Sequence, residues 1–410
     1  MSTKSKIVFS ELMSTLSSQI IFFCISVFAV KYLYASSTEI GLLNTAAGLG
    51  TFLFLFLLSP LTDIKRTDIF LIILSIFRSI IAFYLVYLTL QNSLSITLLA
   101  LLAFLMMGIT ALYESAFSAY IPKIVKTNEL TTINSWIAGL RSAADIAAGS
   151  IAGFLMSYFG AYTAFLFVGI FYLLSTLGPL SFKKFFNKKT LEKSPPLKLW
   201  FSDTFHGFNI LFNNPVQKNL NIGIVQFNLF TAIIQTMYIL YLIRYAEMNE
   251  FEIGVSSSIA GIIGLSGVFL ANIFFKNYNF KKIMGLSLFI PGLSGLLVVI
   301  LPAIPEVFKS IVLGLSFGIW ALCVIINITG FETLKQQTIS ESSLGRYSSA
   351  SRCLTWGIDP IGALFGTFLA LFLPLSWVLI LACIGVFLSS FWILFNPIFD
   401  KVKLDSSSFN

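Results

Sequence analysis

The chain has 410 residues and a formal net charge of +8; 57% of its residues are hydrophobic, only 11% are charged, and 43 are phenylalanine. Soluble domains carry about 25% charged residues, and no soluble core of this length could hide so much apolar surface. The composition therefore excludes a soluble protein and predicts an all-α polytopic membrane protein.

Twelve apolar segments, numbered here as spans 1 to 12, follow one another along the chain. Each has about 20 residues, the length that an α-helix needs to cross roughly 30 Å of hydrocarbon. They lie near residues 10–33, 40–62, 68–91, 94–119, 133–158, 161–182, 217–243, 253–275, 283–302, 306–331, 347–372 and 374–396.

Basic residues fall mainly on one side of these spans. Of the 26 lysines and arginines, 20 lie in alternate connections and in the two tails, whereas the opposite connections hold only Lys31, Arg244 and Lys309. Lysine and arginine stay on the cytoplasmic side of a membrane. Both termini are therefore predicted to be cytoplasmic, and no nucleic-acid partner is needed to explain the net charge. A composition rich in lysine, asparagine and isoleucine fits an AT-rich bacterial genome, so the membrane is expected to be a bacterial inner membrane.

The 183–216 connection is the only long one, and it separates six spans from six. It predicts an N-terminal six-helix bundle (1–182), a basic cytoplasmic linker (183–216), a C-terminal bundle (217–397) and a cytoplasmic tail (398–410). The stretch LKLWFSDTFHGFNILF in the linker mixes aromatic and polar residues, as a helix at the membrane interface does. His206, the single histidine, is expected there as an ordinary interface residue or, alternatively, as a pH sensor.

Cofactor chemistry finds no support in the sequence. The four cysteines lie inside apolar runs without a CxxC spacing, and one histidine cannot build a multi-histidine metal site. The GxxxxGK[ST] phosphate loop of ATP-driven motors is also missing. We therefore expect no cofactor or metal, and an ion gradient as the driving force.

The two halves resemble each other. KYLYASSTEIGLLNTAAG (31–48) aligns without gaps with RYAEMNEFEIGVSSSIAG (244–261), which places Glu39 opposite Glu252. A second alignment places Asp145 of span 5 opposite Asp359 of span 11, each followed by small residues. Two six-span halves in the same orientation predict a parallel repeat, with a substrate site between the halves near mid-membrane.

The stretch that most specifically resembles a known protein family is ETLKQQTISESSLGRYSSASRCLTWGIDPIGALFG (332–366). It resembles the drug-efflux branch of the major facilitator superfamily, which includes macrolide efflux proteins and enterobactin-type siderophore exporters. That branch typically shows four short motifs in this order: a TLRQ-like run, GR, WG and PxGAxxG. In this chain, Lys335 replaces the arginine of the TLRQ-like run. The residues that fit the other three motifs are Gly345, Arg346, Trp356, Gly357, Pro360, Gly362 and Gly366. The resemblance implies two six-helix bundles and a proton-driven antiporter that confers multidrug resistance or exports siderophores, acting as a monomer.

Two family signatures differ here. The cytoplasmic signature between spans 2 and 3 resembles GxxxDRxGRR, and this chain has SPLTDIKRTD (59–68), in which Asp63, Lys65 and Arg66 keep the charges. The GPxxGG-like run of span 5 is absent, and Asp145 with its small neighbours occupies that region.

Charges inside the spans are costly and call for partners or a water-filled cavity. Arg141 and Asp145 are four residues apart and predict an ion pair on one helix face; the pair either holds span 5 to a neighbour or takes part in substrate binding or proton coupling. Arg352 and Asp359 are seven apart, about 10.5 Å along a helix. Asp359, without a close cation, is therefore the expected carrier of the coupling proton, and Pro360 could open the helix there.

Other polar residues of the spans are candidates for a site or a gate. Arg78 has no acid one turn away, so it needs a partner from another helix, for structure or for substrate contact. The candidates for a substrate cavity are Gln19, Gln226, Asn228, Gln235 and Asn327. The candidates for a cytoplasmic gate are Asp63, Lys65, Arg66, Glu114, Glu332, Lys335 and Arg346.

The sequence therefore predicts a proton-driven exporter of a small amphiphilic compound, embedded in the lipid bilayer. Two alternatives stay open. One is an importer or a lipid transporter of the same fold, and the other is a membrane receptor or assembly factor that transports nothing.

Overall fold

The computed structural model describes residues 3–58, 67–124, 130–181 and 207–402, and every regular element in these ranges is helical. The first half contains α1 (Thr3–Lys31), α2 (Ser37–Leu58), α3 (Thr67–Leu90), α4 (Ile96–Ile124), α5 (Leu130–Phe159), α6 (Ala161–Ser175) and α7 (Leu177–Ser181). The described part of α8 covers residues 207–213. The second half contains α9 (Pro215–Arg244), α10 (Glu250–Asn277), α11 (Phe280–Val299), α12 (Glu306–Thr338), α13 (Glu341–Gly357), α14 (Asp359–Phe372), α15 (Leu375–Leu388) and α16 (Phe391–Leu394), with 3-10 turns at Leu301–Ala303 and Pro397–Lys401.

Eleven helical stretches of the described chain are long and apolar enough to cross a membrane. The predicted all-α polytopic fold is thereby confirmed. Span 5 corresponds to α5, which has 30 residues and would measure about 45 Å at 1.5 Å per residue, but it is not among the eleven.

The chain divides into two compact units, each described by itself below. Unit 1 consists of residues 1–194 and 249–258, and unit 2 consists of residues 195–248 and 259–410. The predicted linker lies mostly outside the described residues, His206 included. Within unit 2, Leu211 of α8 is buried against Ile339 and Tyr347, so this end of the linker is packed onto the helices that follow it.

The repeat in the sequence is also a repeat of helix packing inside each unit. In unit 1, α1 packs against α5 and α6, while α3 packs against α4 and α6. In unit 2, α9 packs against α14 and α15, while α11 packs against α12 and α15. Helices at equivalent positions of the two halves therefore pack against equivalent neighbours.

The first helix of each half ends in the same way. Tyr34 and Glu247, which are equivalent in the repeat, both have a left-handed backbone, with φ of 52° and 54°. Before them, the Leu33 N–H donates to the Phe28 carbonyl at 3.2 Å, and the Ala246 N–H donates to the Tyr241 carbonyl at 3.1 Å. These bonds satisfy carbonyl groups that a helix end leaves without partners.

The next helix of each half also begins in the same way, which explains the matched glutamates of the repeat. The Ser36 N–H donates to Glu39 Oε2 at 2.8 Å, and the Asn249 N–H donates to Glu252 Oε2 at 2.9 Å. In return, the Glu39 and Glu252 N–H groups donate to the side chains of Ser36 and Asn249. Glu39 and Glu252 thus belong to capping boxes that start α2 and α10.

Gly362 lies at a close contact between α14 and α9, and it gives a prediction on stability. A Cβ atom at this position would lie 2.4 Å from the Leu229 carbonyl oxygen, and backbone cannot yield as a flexible side chain can. We expect Gly362→Ala to destabilise the protein by about 1–3 kcal/mol, measured as a lower midpoint of thermal unfolding in detergent. Gly139→Ala is the matched control, because a Cβ there meets nothing within 4 Å; it should be neutral or stabilising, and an equal loss in both variants would contradict the prediction.

Candidate functional site

A cavity of about 580 Å³ opens inside unit 2. Residues of α9, α11, α12, α13 and the start of α14 form its wall. Its apolar residues are Ile224, Phe227, Ala232, Leu288, Val324, Ile328, Phe331 and Trp356; its polar residues are Asn228, Thr231, Gln235, Ser287, Asn327, Ser348, Ser351 and Thr355; and its charged residues are Glu332, Lys335, Arg352 and Asp359. A pocket that combines apolar and aromatic side chains with convergent polar groups is the usual form of a small-molecule site.

The helix of span 11 is interrupted beside this cavity. α13 ends at Gly357, Ile358 forms a turn, and α14 begins at Asp359. Pro360 causes the break, because it has no N–H to donate to the carbonyl four residues earlier and its ring crowds that carbonyl. The local opening expected at Pro360 is therefore present, and Asp359 is the first residue of a new helix whose N-terminal end meets the cavity.

Arg352 stacks against an aromatic ring of the cavity wall. The guanidinium carbon lies 5.7 Å from the centre of the Trp356 ring, one turn further along α13. Neither Arg352 nor Asp359 forms an ion pair with another described side chain, although both line the cavity. A guanidinium that lies on the face of a ring keeps its N–H groups free to bind an acceptor in the plane of the guanidinium.

Glu332 and Lys335, two predicted gate residues, form an ion pair within α12. The Lys335 side chain is 6% exposed and that of Glu332 is 42% exposed, so the pair joins a buried cation to a more exposed carboxylate. Both residues line the same cavity. The gate candidates Glu332 and Lys335 therefore share a wall with the coupling candidates Arg352 and Asp359.

Three of the predicted cavity residues line this wall. The Asn228 amide donates to the Thr355 carbonyl at 2.7 Å and links α9 to α13, while the Asn327 amide donates to Ser287 Oγ at 2.9 Å and links α12 to α11. Gln235 also lines the cavity and is exposed to it. Asn228 and Asn327 thus bridge helices as well as presenting polar atoms to a ligand.

Two predicted cavity residues lie elsewhere. Gln226 is absent from the wall because its amide donates to the Gly385 carbonyl at 3.1 Å and accepts a hydrogen bond from Trp392 Nε1 at 2.8 Å. It therefore fastens α9 to α15 and α16. Gln19 is an exposed residue of α1 in unit 1, so it takes no part in the cavity of unit 2.

A buried polar network supports the cavity wall from behind. Tyr347 donates to the Gln217 side-chain oxygen at 2.5 Å and accepts a hydrogen bond from the Asn221 amide at 2.8 Å. Ser351, a cavity residue, donates to Asn221 at 2.6 Å, and Gln217 donates to Thr338 at 2.7 Å. These bonds tie α9, α12 and α13 together, and they hold α13 in the register that presents Arg352.

Arg78 of unit 1 is completely buried, and its partners come from several helices. The guanidinium carbon lies 3.9 Å from the ring centre of Tyr113 on α4 and 4.3 Å from that of Tyr172 on α6. Its N–H groups donate to Ser14 on α1 at 3.2 Å and to Ser75 at 3.3 Å. Arg78 is thus a stacked cation at the centre of unit 1.

Arg141 binds a carboxylate that the sequence analysis missed. Its Nε and Nη2 atoms donate to Glu11 Oε1 at 2.8 and 2.5 Å, which joins α5 to α1. Glu11 is 2% exposed. An acidic residue at the start of the first apolar span was the available signal. The side chain of Asp145 lies outside the described residues, so its predicted pairing with Arg141 stays a prediction.

The small residues that follow Asp145 allow a close helix contact within unit 1. A Cβ at Gly254 would lie 2.4 Å from the Gly149 carbonyl oxygen, and the Ser150 and Ser258 hydroxyls are 2.7 Å apart. Lys31 of α1 and the buried Glu250 form an ion pair of 2.5 Å beside this contact. The first turns of α10 are thereby fixed to α5 and α1.

The remaining gate candidates are only partly described. The structure does not describe residues 59–66, which include Asp63, Lys65 and Arg66. The side chain of Arg346 is also outside the described part of the chain. Glu114 is an exposed residue of α4. Their assignment to a cytoplasmic gate stays a prediction.

Comparisons with known proteins agree with this architecture. The solved structures similar to the chain include a bacterial homologue of the iron transporter ferroportin in an inward-facing state (14% identity, TM-score 0.74, 98% of this chain and 99% of that chain). They also include the nucleoside transporter NupG (15%, 0.66, 98% and 100%) and the POT family transporter PepTSo (11%, 0.74, 97% and 98%). At these identities they show the fold alone, and no curated protein sequence matches the chain significantly. The family model of the Major Facilitator Superfamily matches residues 7–358, most of the chain, and the protein therefore belongs to this superfamily of membrane transporters.

Proposed function

We propose that the protein is a secondary active transporter that exports a small amphiphilic compound by proton-coupled alternating access. The substrate class is a drug such as a macrolide, or a siderophore, and the membrane is the bacterial cytoplasmic membrane. The observation that carries the proposal is the cavity of unit 2, where Arg352 and Asp359 stand beside aromatic rings without an ion-pair partner among the described side chains. Charges held in this way inside a membrane protein mark substrate and proton sites.

The drug-efflux assignment is supported by residues that line the same cavity. Residues 332–366, the stretch that most specifically resembles the efflux branch, contribute Glu332, Lys335, Arg352, Trp356 and Asp359 to the cavity. The solved relatives are described as carriers of quite different compounds, so the substrate class is argued from these residues. The excess of basic residues in alternate connections supports cytoplasmic termini.

The mechanism follows from competition for one carboxylate. A cationic group of the substrate and a proton both neutralise Asp359, so binding of one excludes the other, which is the condition for antiport. Arg352 supplies the opposite charge for an acidic or carbonyl group of the substrate, and Trp356 with Phe227 and Phe331 offers ring faces to its apolar part. The proton gradient drives the cycle without a cofactor, and a single chain holds all of these groups.

Transport in everted membrane vesicles tests the proposal. With the cytoplasmic face outward and the interior acidified, vesicles containing the protein should accumulate a macrolide or a siderophore, and a protonophore should abolish the accumulation. Flux only in the opposite direction would support an importer or a lipid transporter instead. Substrate binding without flux in either direction would point to a receptor or an assembly factor.

Replacement of Arg352 tests whether this side chain recognises the charge of the substrate. Charge-assisted hydrogen bonds contribute about 1.5–3 kcal/mol, so Arg352→Gln should weaken the binding of acidic siderophores at least about tenfold and change the binding of basic macrolides much less. Arg352→Lys should recover part of the affinity, because it keeps the charge without the planar fork. Binding titrations with radiolabelled siderophore and macrolide measure both effects. Equal losses for both substrate classes would contradict a charge-reading role.

A further inference from the structure

Two rows of side chains, each spaced by four residues, run side by side along α13. The first row consists of Tyr347, Ser351 and Thr355, and the second row consists of Ser348, Arg352 and Trp356. Each residue of the first row bonds to α9, two through the side chain and the last through its carbonyl. Each residue of the second row lines the cavity. Neighbouring residues lie about 100° apart around a helix, so the bonds of the first row determine where the second row points.

The interruption of span 11 leaves α13 dependent on these lateral bonds. α13 has 17 residues and ends at Gly357, and a turn at Ile358 separates it from α14. In a continuous helix, the rotation of each part about the axis is fixed by the rest of the span. Because α14 is a separate helix, the direction of Arg352 around the axis of α13 depends on the bonds to α9.

The side-chain bonds to α9 belong to one chain of hydrogen bonds with a fixed direction. The donors follow one another in the order Ser351, Asn221, Tyr347, Gln217 and Thr338, and the last hydroxyl donates to the Leu334 carbonyl, at distances of 2.6, 2.8, 2.5, 2.7 and 2.7 Å. The Asn221 amide also donates to the Gln217 carbonyl at 2.7 Å. Reversing one member would leave a buried polar group without a partner, which is costly. The chain therefore has one favoured arrangement.

Tyr347 lies in the middle of this chain, and its ring is also fixed. The side chain is 0% exposed and is buried in one cluster with Leu211 of α8 and Ile339. Its hydroxyl bonds to Gln217 and Asn221 of α9. Tyr347 is not among the residues that line the cavity. An effect of Tyr347 on a bound substrate must therefore pass through α13.

We propose that Tyr347 is a positioning residue, which fixes the rotation of α13 and thereby directs the Arg352 guanidinium towards the acidic group of a siderophore. A charge-assisted hydrogen bond is strong only when its donor and acceptor are aligned, so a small rotation of α13 weakens it. Contacts between aromatic rings and an apolar substrate tolerate such a rotation. Tyr347 thus contributes to the preference for acidic over basic substrates. The choice of substrate rests on the proposed function, whereas the fixed rotation of α13 does not.

Tyr347→Phe tests the role of the hydroxyl, because it keeps the buried ring and removes only the oxygen. We expect the binding of radiolabelled aerobactin, a carboxylate siderophore, to weaken about three- to tenfold, and that of radiolabelled erythromycin, a basic macrolide, to change less than about twofold, because only the Arg352 bond loses its alignment. The matched control is Tyr241→Phe, which removes a hydroxyl of α9 that donates to the Val299 carbonyl at 2.7 Å and should leave both affinities unchanged. Equal losses for both compounds in Tyr347→Phe would overturn the proposal, since a merely structural role lowers all binding alike.

A double variant separates positioning from stability. In the Arg352→Gln background, Tyr347→Phe should weaken aerobactin binding no further, because the group that Tyr347 directs is gone. Residues that act through one another are non-additive in this way, and the same additional loss in both backgrounds would contradict the proposal. If Tyr347→Phe does not fold, Gln217→Met takes its place. It removes the acceptor of the Tyr347 hydroxyl from outside the cavity wall and should give a loss of the same kind.

The rotation of α13 has a readout that needs no substrate. Cys353 follows Arg352, is half-buried and does not line the cavity, whereas the other three cysteines are buried. Its reaction with a water-soluble maleimide, located by mass spectrometry, should be several-fold faster in Tyr347→Phe than in the wild type or Tyr241→Phe, because a freer α13 exposes the thiol more often. An unchanged rate in Tyr347→Phe would overturn the proposal. If the wild type binds neither compound while the rate still rises, the proposed function fails and the role of Tyr347 in fixing α13 stands.

Discussion

Asp359→Asn should reduce proton-driven transport by about a hundredfold, the lower end of what a positioned proton-transfer group contributes in enzymes. The asparagine amide cannot take up or release the proton, whereas its size and hydrogen-bonding atoms resemble those of the carboxylate. The residue stands at the first position of α14, where asparagine is well tolerated, so the fold should persist. Proteoliposomes with an imposed pH gradient measure the effect.

A coupling residue has a more specific signature than a loss of rate. In Asp359→Asn, exchange of labelled for unlabelled substrate should continue without a gradient, because exchange needs the cavity but not the proton. The matched control is Asp400→Asn, which removes an exposed carboxylate that pairs with Lys281 at 2.7 Å and should transport as the wild type does. A wild-type rate that still depends on the proton gradient in Asp359→Asn would eliminate Asp359 as the proton carrier.

Arg78→Ala should cause the largest loss of stability, about 3 kcal/mol or more. The guanidinium is completely buried between two tyrosine rings and donates to Ser14 and Ser75. Desolvated cation–π contacts contribute about 2 kcal/mol, and the deleted side chain leaves a cavity and unpaired hydroxyls. Thermal unfolding of the detergent-solubilised protein should show a lower midpoint.

Arg352→Ala is the matched control for this prediction. It removes the same side chain from another span, but Arg352 is exposed and faces a cavity, so its unfolding midpoint should change little while substrate binding falls. Arg78→Lys should remain clearly less stable than the wild type, because an ammonium group lacks the flat surface that lies between the two rings. Equal midpoints for Arg78→Ala and the wild type would contradict a structural role for the stacked arginine.

Hydropathy was sufficient to find eleven of the twelve predicted spans, since a membrane helix needs a long apolar run whatever its tertiary contacts. The ion-pair partners of the charged residues were harder to predict, because spacing rules compare residues on one helix only. The partner found for Arg141 is Glu11, which lies 130 residues away on α1. No local pattern could have indicated this pair, since it exists only through the packing of α1 against α5.

Helix geometry explains which of the polar residues of span 7 line the cavity of unit 2 and which do not. Successive residues turn by about 100° around an α-helix, so Gln226 and Asn228 lie about 200° apart and cannot face the same space. Asn228 and Gln235 are seven residues apart and do share a face, and both line the cavity. Arg352 and Asp359 are also seven residues apart, and both line the cavity, although the helix between them is interrupted at Ile358.

The two capping boxes affect how a mutational screen of this protein should be interpreted. Glu39 and Glu252 are charged, and they occupy matched positions of the repeat, so a screen for lost transport would rank them among transport residues. Their carboxylates bind the backbone at the start of α2 and α10, so their loss would act by lowering the amount of folded protein in the membrane. A screen that normalises activity to the amount of protein inserted would remove both residues from the set that handles substrate.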